Sequence, residues 1–321
     1  MNAPLPAFEL LRPASLAEAL EALTLTPTPR LLAGGTDLIV NMRRGLAPAE
    51  TLIDLSGLPE LGGIARTRAG WRIGAGTRLA ELAEAPELAD FAALSEAALA
   101  VAGPSHRVAA TLGGNLCQDT RCLYYNQGEW WRRAGGYCLK YRGEICHVAP
   151  RGNRCRAAYC GDLAPALMVL GAQAEIASSS APRRIPLSDL FAEDGAAWLT
   201  LGPGEILAAI HLPAPPPAAS AYEKIRLRGA IDFPLAGVAV ALHETGTGRE
   251  MRLALSGTNS RPLAVSLPPP PGAGTAPDDW LAVLRKRVQK AASPQRTTTI
   301  APHYRRLAAT ALAARLAARM I

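Results

Sequence analysis

Hydrophobic positions change period several times along the chain, and each change predicts an element. In SLAEALEALT (15–24) apolar residues recur three and four apart, which predicts a helix. Ser15 suits its N-cap, and Glu18, three residues on, completes a capping box. The apolar segment Arg30-Leu31-Leu32-Ala33 then meets Gly34-Gly35-Thr36-Asp37, so the first 60 residues read as alternating β and α units. Short strands are predicted at 51–57 (TLIDLSG) and 71–76 (WRIGAG), followed by a helical run near 78–102. The strand-like stretch Ala164 to Ile176 reads as a strand, as does EILAAIHLP after Pro203. The run Pro213-Ala214-Pro215-Pro216-Pro217 marks a domain boundary, because consecutive prolines cannot pair in a sheet.

Beyond that run the pattern is α+β. AYEKIRLR (221–228) alternates as a strand. VAVALHE and MRLALSG predict a hairpin about the Gly-rich turn at 246–248. Pro268 to Pro271 reads as a loop, and helices are predicted at 277–291 and 302–320, with Pro302 in a first turn. No internal repeat is visible.

Composition narrows the class. Of 321 residues 49% are hydrophobic and 19% charged, which excludes a disordered or fibrous chain and allows two domains. No run approaches the length of a membrane span. The start, MNAPLPAFELL, lacks a basic segment leading into an apolar one, so a cytoplasmic location is expected. All six cysteines lie between Cys117 and Cys160, together with seven of the 16 aromatic residues. That window carries eight basic and three acidic residues, +5 of the net +7.

Cysteines so concentrated in a chain without an export signal suggest metal ligands more than disulfides. The bland alternative is a loop with incidental core thiols. The spacing Cys122-x15-Cys138-x7-Cys146-x8-Cys155 is too open for a zinc knuckle but suits four thiolates converging from a folded loop. Iron–sulfur clusters accept varied spacings, so spacing alone leaves zinc and iron–sulfur even. His147 adjoins Cys146 and reads as a neighbour of the site more than as a ligand. The basic excess suggests a docking face for an acidic protein; no nucleic-acid motif accompanies it.

Two glycine pairs carry the other candidate chemistry, LLAGGTDL (31–38) and ATLGGNL (110–116). Glycine lets backbone N–H groups approach a phosphate, and Thr36 and Asn115 offer side-chain hydrogen bonds. Neither loop fits G-x-G-x-x-G, and a P-loop is absent. Two such loops suggest a dinucleotide pyrophosphate clamped from both sides. G-x-S-x-G, HExxH and a close carboxylate pair are also absent.

AGGTDL (33–38), TLGGN (111–115), GDLAPAL (161–167) and GEILAAIHLP (204–213) together resemble the FAD-binding medium subunits of the molybdenum hydroxylases, the xanthine dehydrogenase and carbon monoxide dehydrogenase family. The resemblance spans nearly the whole chain. It implies a two-part FAD-binding domain of the vanillyl-alcohol-oxidase (PCMH) type over 1–215 and a small α+β domain of the CO dehydrogenase flavoprotein type over 216–321. It also implies which residues meet FAD. Leu31, Leu32, Ala33, Gly34, Gly35, Thr36, Asp37 and Leu38 would wrap the pyrophosphate, and Val101, Thr111, Gly114 and Asn115 would form the second wall. Asp162, Leu207 beside the isoalloxazine and Lys224 complete the set.

The interval from Asn115 to Asp162 is longer than in ordinary members by the length of the cysteine window, here 118–158. That insertion resembles the one in the medium (β) subunit of 4-hydroxybenzoyl-CoA reductases. The resemblance, not the spacing, implies a [4Fe-4S] cluster on Cys122, Cys138, Cys146 and Cys155, with Cys117 and Cys160 as non-ligands. It further implies a large molybdenum–pterin subunit, a small subunit with [2Fe-2S] clusters and reduced ferredoxin as donor for dehydroxylating 4-hydroxybenzoyl-CoA. No residue of this chain is then catalytic in the acid–base sense. The alternatives are another aromatic or N-heterocyclic substrate, or a zinc-stabilised FAD protein.

Overall fold

The computed structural model describes residues 4–246, 248–272 and 277–321. The first unit alternates as its sequence predicts: β1 (Glu9–Leu11), α1 (Leu16–Leu25), β2 (Pro29–Leu32), α2 (Leu38–Arg43) and β3 (Thr51–Asp54). Its three strands form a parallel sheet in the order β1-β3-β2. Ser15 Oγ accepts from the Glu18 N–H at 3.2 Å, and the Glu18 carboxylate accepts in return from the Ala14 N–H at 2.8 Å, one residue upstream of a standard box.

A five-stranded antiparallel sheet follows, ordered β4-β5-β8-β6-β7. It comprises β4 (Ile64–Thr67), β5 (Gly70–Gly74), β6 (Gln173–Ser178), β7 (Arg183–Pro186) and β8 (Glu205–Pro213). Between β5 and β6 the chain forms α3 (Leu79–Glu84), α4 (Ala92–Ala100), short turns α5 (Pro104–Arg107), α6 (Leu112–Leu116) and α7 (Glu129–Ala134), then α8 (Leu163–Val169). The single helical run expected near 78–102 is broken at Pro86, where a proline cannot extend α3.

The strand expected from Ala164 to Ile176 is corrected. Its first half is α8 and only its second half is β6. Six of the seven residues of α8 are buried, so no polar stripe reveals a helical period. Gly171 at φ 73° ends the helix, with Gly171 N–H to Met168 C=O at 3.1 Å and Ala172 N–H to Leu167 C=O at 3.0 Å. That is a Schellman cap, and glycine is the residue that adopts its left-handed position without strain.

The last unit is a four-stranded antiparallel sheet, ordered β12-β11-β10-β9. Its strands are β9 (Ala219–Ile225), β10 (Ala236–Thr245), β11 (Gly248–Ser256) and β12 (Leu263–Val265), with α9 (Asp278–Ala291) and α10 (Pro302–Ala318) behind. The expected hairpin is β10–β11, registered Thr245 to Gly248; Thr247, within its turn, lies outside the described residues. Residues of β10 alternate between two cores. Ala239 and Ala241 join the core around α4 and α8, while Val238, Val240 and Leu242 join that of α9 and α10. Burial on both faces makes VAVAL continuously apolar. No helix among the described residues is long and apolar enough to cross a membrane.

Candidate functional site: two glycine loops and a cysteine cavity

The two glycine loops meet. The first is the turn from β2 into α2, the second leads through Ala109 and Ala110 into α6. A Cβ on Gly34 would lie 1.9 Å from the Ala109 carbonyl oxygen, so only glycine permits this approach. Gly35 sits at φ 70°, in the left-handed region. The second loop rests on the β5–α3 turn, with Leu112 N–H to Thr77 C=O at 2.9 Å and Gly113 N–H to Ala75 C=O at 2.7 Å. Residues 31–39 remain half-buried and Gly114 is exposed, so glycine backbone of both loops reaches the surface beside this contact. Glycine backbone so placed suits the approach of a phosphate-bearing group.

Most polar side chains expected at this site hold the loops together. Thr111 Oγ1 accepts from the Gly114 N–H at 3.0 Å, and Asn115 Oδ1 accepts from the Leu163 N–H at 3.1 Å, joining the second loop to α8. Asp37 accepts from Asn41 Nδ2 at 3.2 Å and pairs with the Arg121 guanidinium. Asp162 is buried and accepts from Tyr222 OH at 2.6 Å, while Lys224 Nζ lies 2.9 Å from its Oδ1. Burial, the largest influence, pushes the Asp162 carboxyl above its ordinary value despite Lys224 and Tyr222. This pair joins β9 to the start of α8. Leu207 is buried in the main core, and Val101 packs against it. The structure thus brings Gly34, Gly35, Thr111, Gly114 and Asn115 to adjoining loops, and sets Leu207 into the core.

The cysteines divide in two. Cys122, Cys138, Cys146 and Cys155 line one small cavity with Tyr124, Lys140 and His147. Burial pushes the Cys122 thiol up to about 11 and Cys155 up to about 12. Each also feels its neighbours, Cys122 those of Cys138 and Cys146, Cys155 those of Cys146 and Cys122. Cys117 and Cys160 are not among the lining residues; burial pushes them up to about 12 and about 11. His147 shares a hydrogen bond with the Tyr137 carbonyl and lies 5.2 Å from the Tyr124 ring.

Among the described residues no group of three or more His, Cys, Asp or Glu side chains is placed to hold a metal ion. A single tetrahedral ion with bonds of about 2.3 Å needs its sulfurs within about 4 Å of one another. A four-iron cube holds its thiolates wider, with one iron at each. The donor set fits the cube: four thiols around one cavity. Lys140 is the charged residue among those lining the cavity, and a cation there suits a group carrying negative charge.

Three features escape sequence reasoning. The first is where residues 118–158 sit, which is against all three units. Tyr125 OH donates to the Leu46 carbonyl at 2.8 Å, Cys155 N–H to Asp194 Oδ1 at 3.2 Å, and Leu123 N–H to the Thr297 carbonyl at 2.7 Å. The second is the Arg121–Asp37 pair, which ties the insertion to the first glycine loop. The third is the use of the basic excess. Arg121, Arg132, Lys140 and Arg154 pair with Asp37, Glu129, Asp119 and Glu193. Only Arg133, Arg142 and Arg151 of the eight are exposed; Glu129 and Glu144 are exposed as well, Glu129 4.0 Å from Arg142. The expected basic docking face is corrected accordingly: most of that charge faces inward, because it balances carboxylates in the fold.

Residues 6–215 match the family described as the FAD binding domain in molybdopterin dehydrogenase. The chain is 35% identical over 270 residues to the aldehyde oxidoreductase FAD-binding subunit PaoB of Escherichia coli, covering 81% of this chain and 84% of that one. It is 32% identical to the carbon monoxide dehydrogenase medium chain of Afipia carboxidovorans, over 74% and 70% of the two chains. In three dimensions it superposes on a reconstituted CO dehydrogenase from Oligotropha carboxidovorans with a TM-score of 0.75 at 26% identity, covering 98% of both chains. Quinoline 2-oxidoreductase from Pseudomonas putida shares the fold at a TM-score of 0.76. Glycine loops, architecture and sequence agree: the chain belongs to the FAD-binding subunits of the molybdopterin dehydrogenase family.

Proposed function

We propose that this chain is the electron-transfer medium subunit of a molybdenum enzyme, carrying FAD on its glycine loops and a [4Fe-4S] cluster on Cys122, Cys138, Cys146 and Cys155. The observation that carries the reading is the cavity lined by those four thiols and by neither Cys117 nor Cys160. Residues 1–215 would form the FAD domain, 118–158 its cluster-bearing insertion, and 216–321 the C-terminal domain. When bound, the two groups supply exchange of single electrons and of electron pairs. Leu31 to Leu38 would wrap the FAD pyrophosphate, with Val101, Thr111, Gly114 and Asn115 as the facing wall. Asp162, Leu207 and Lys224 would shape the flavin end, Asp162 and Lys224 by fixing one domain on the other. A large molybdenum–pterin subunit and a small [2Fe-2S] subunit would complete the enzyme.

The substrate meets the large subunit, and two observations favour different substrates. The insertion supports reductive dehydroxylation of 4-hydroxybenzoyl-CoA to benzoyl-CoA, with reduced ferredoxin as donor. The 35% identity to an aldehyde oxidoreductase subunit supports aldehyde oxidation, with electrons leaving through this chain. The copurified complex, assayed anaerobically with each substrate and its electron partner, separates them: turnover of one and not the other assigns the reaction. Cys138→Ser tests the cluster reading. Loss of the cluster's EPR signal with FAD retained is expected, and an unchanged signal would remove Cys138 from the ligand set.

A further inference from the structure

We propose that Lys140 is the fixed cation that raises the reduction potential of the group held in the cysteine cavity, and that Asp119 positions it there. The proposal rests on reading the four thiols as cluster ligands. Lys140 is the one permanently charged side chain among the residues lining the cavity. Its side chain is only 4% exposed, and Nζ donates to Asp119 Oδ1 at 2.5 Å and to the Thr120 carbonyl at 3.3 Å. It also lies 4.4 Å from the centre of the Tyr125 ring and 4.9 Å from that of Trp198. Two aromatic faces, a carboxylate and a carbonyl fix one ammonium in place.

The other paired cations of the insertion are committed elsewhere, exposed Arg142 to Glu129 at 4.0 Å. Arg121 is held by Asp37 and Asn41, Arg132 by Glu129 and the carbonyls of Arg44 and Gly45, and Arg154 by Glu193. Ligation turns four thiols, three of them buried, into thiolates, and each electron taken into the cavity adds a further negative charge. Buried negative charge is costly unless a cation lies close. A cation at the wall therefore favours the reduced state over the oxidised one. Asp119, which does not line the cavity, anchors the ammonium, and its backbone N–H donates to Asp37 Oδ2 at 3.3 Å. One residue thus touches both the cavity's cation and the first glycine loop.

The test is a redox titration of the anaerobically purified complex, following the cluster by EPR and FAD by absorbance. Lys140→Met is expected to move the cluster midpoint to more negative potential, since it removes the cation and leaves Asp119 uncompensated. Asp119→Asn is expected to move it the opposite way, and Lys140→Arg to leave it close to wild type. The FAD midpoint and FAD content should stay unchanged in all three. A structural disturbance would shift both variants in one direction, and that result, or an unmoved midpoint in Lys140→Met, overturns the proposal. Should Lys140→Met fail to retain its cluster, the sign of the Asp119→Asn shift decides. Wild-type protein without iron and sulfide would instead overturn the ligand reading beneath it.

Discussion

Gly34 shows how far a single residue can set the site. Its missing Cβ lets the two glycine loops touch, and Gly34→Ala would force a methyl to within 1.9 Å of a backbone oxygen. Separating the loops should cost about 1–3 kcal/mol and empty the FAD site. Flavin content and urea midpoint measure the two effects, and a fully flavinated, equally stable variant would refute the loop contact. The buried Lys224–Asp162 pair makes a second prediction. Lys224→Met leaves a carboxylate without its partner and should cost about 3–5 kcal/mol, whereas Lys224→Met with Asp162→Asn should recover most of that loss. Additive losses in the double variant would mean the pair is not coupled. The glycines were legible in the sequence because no other residue explains two GG turns in one domain. Arg121 with Asp37, and Lys140 with Asp119, were not, since neither pairing follows any local period.

At the scale of elements, strands whose two faces differ, or which end in a turn residue, declared themselves, as β8 does before the proline run. The first half of segment 164–176 did not, because burial on nearly every side of α8 erased the difference between periods of two and 3.6. Gly171 was the available signal, read there as part of a strand. The start of β8 also carries a pH-sensitive clasp. Arg183 on β7 reaches past β6 to Glu205, with Nε to Oε1 at 2.8 Å and Nη2 to Oε2 at 2.9 Å. The Arg183 hydrogen bonds, only partly opposed by burial, hold the Glu205 carboxyl below its ordinary 4.5. The folded state therefore binds this proton less readily than the unfolded chain. Its contribution is complete above pH 4.5 and is lost as pH falls through the lower folded value. Glu205→Gln should lower stability by about 1 kcal/mol or less at pH 7, given the exposure of Arg183. The gap to wild type should close below pH 4.5, and a constant gap in urea titrations across pH would show that the carboxylate's charge is not the cause.

Across the whole molecule, residues 118–158 are placed as a fourth component where three folded units converge. Their hydrogen bonds run to Leu46 of the first unit, Asp194 of the second and Thr297 of the third. A loop that only decorated the surface would need none of these. Much of the basic excess that marks this segment in the sequence is paired inside the fold: Arg121 and Arg154 with carboxylates across those junctions, Arg132 and Lys140 with carboxylates of the segment itself. Association with an electron partner should accordingly depend only weakly on salt, because only Arg133, Arg142 and Arg151 of its cations are exposed, and Glu129 and Glu144 are exposed as well. Stopped-flow electron exchange across ionic strength checks this, and a steep fall with salt would restore the basic docking face. The central claim is that one chain carries both FAD and a four-iron cluster. Iron, acid-labile sulfide, zinc and flavin measured together on anaerobically purified protein test it most directly. The account predicts about four irons, four sulfides and one FAD per chain with the cysteine set intact; stoichiometric zinc without sulfide would contradict it.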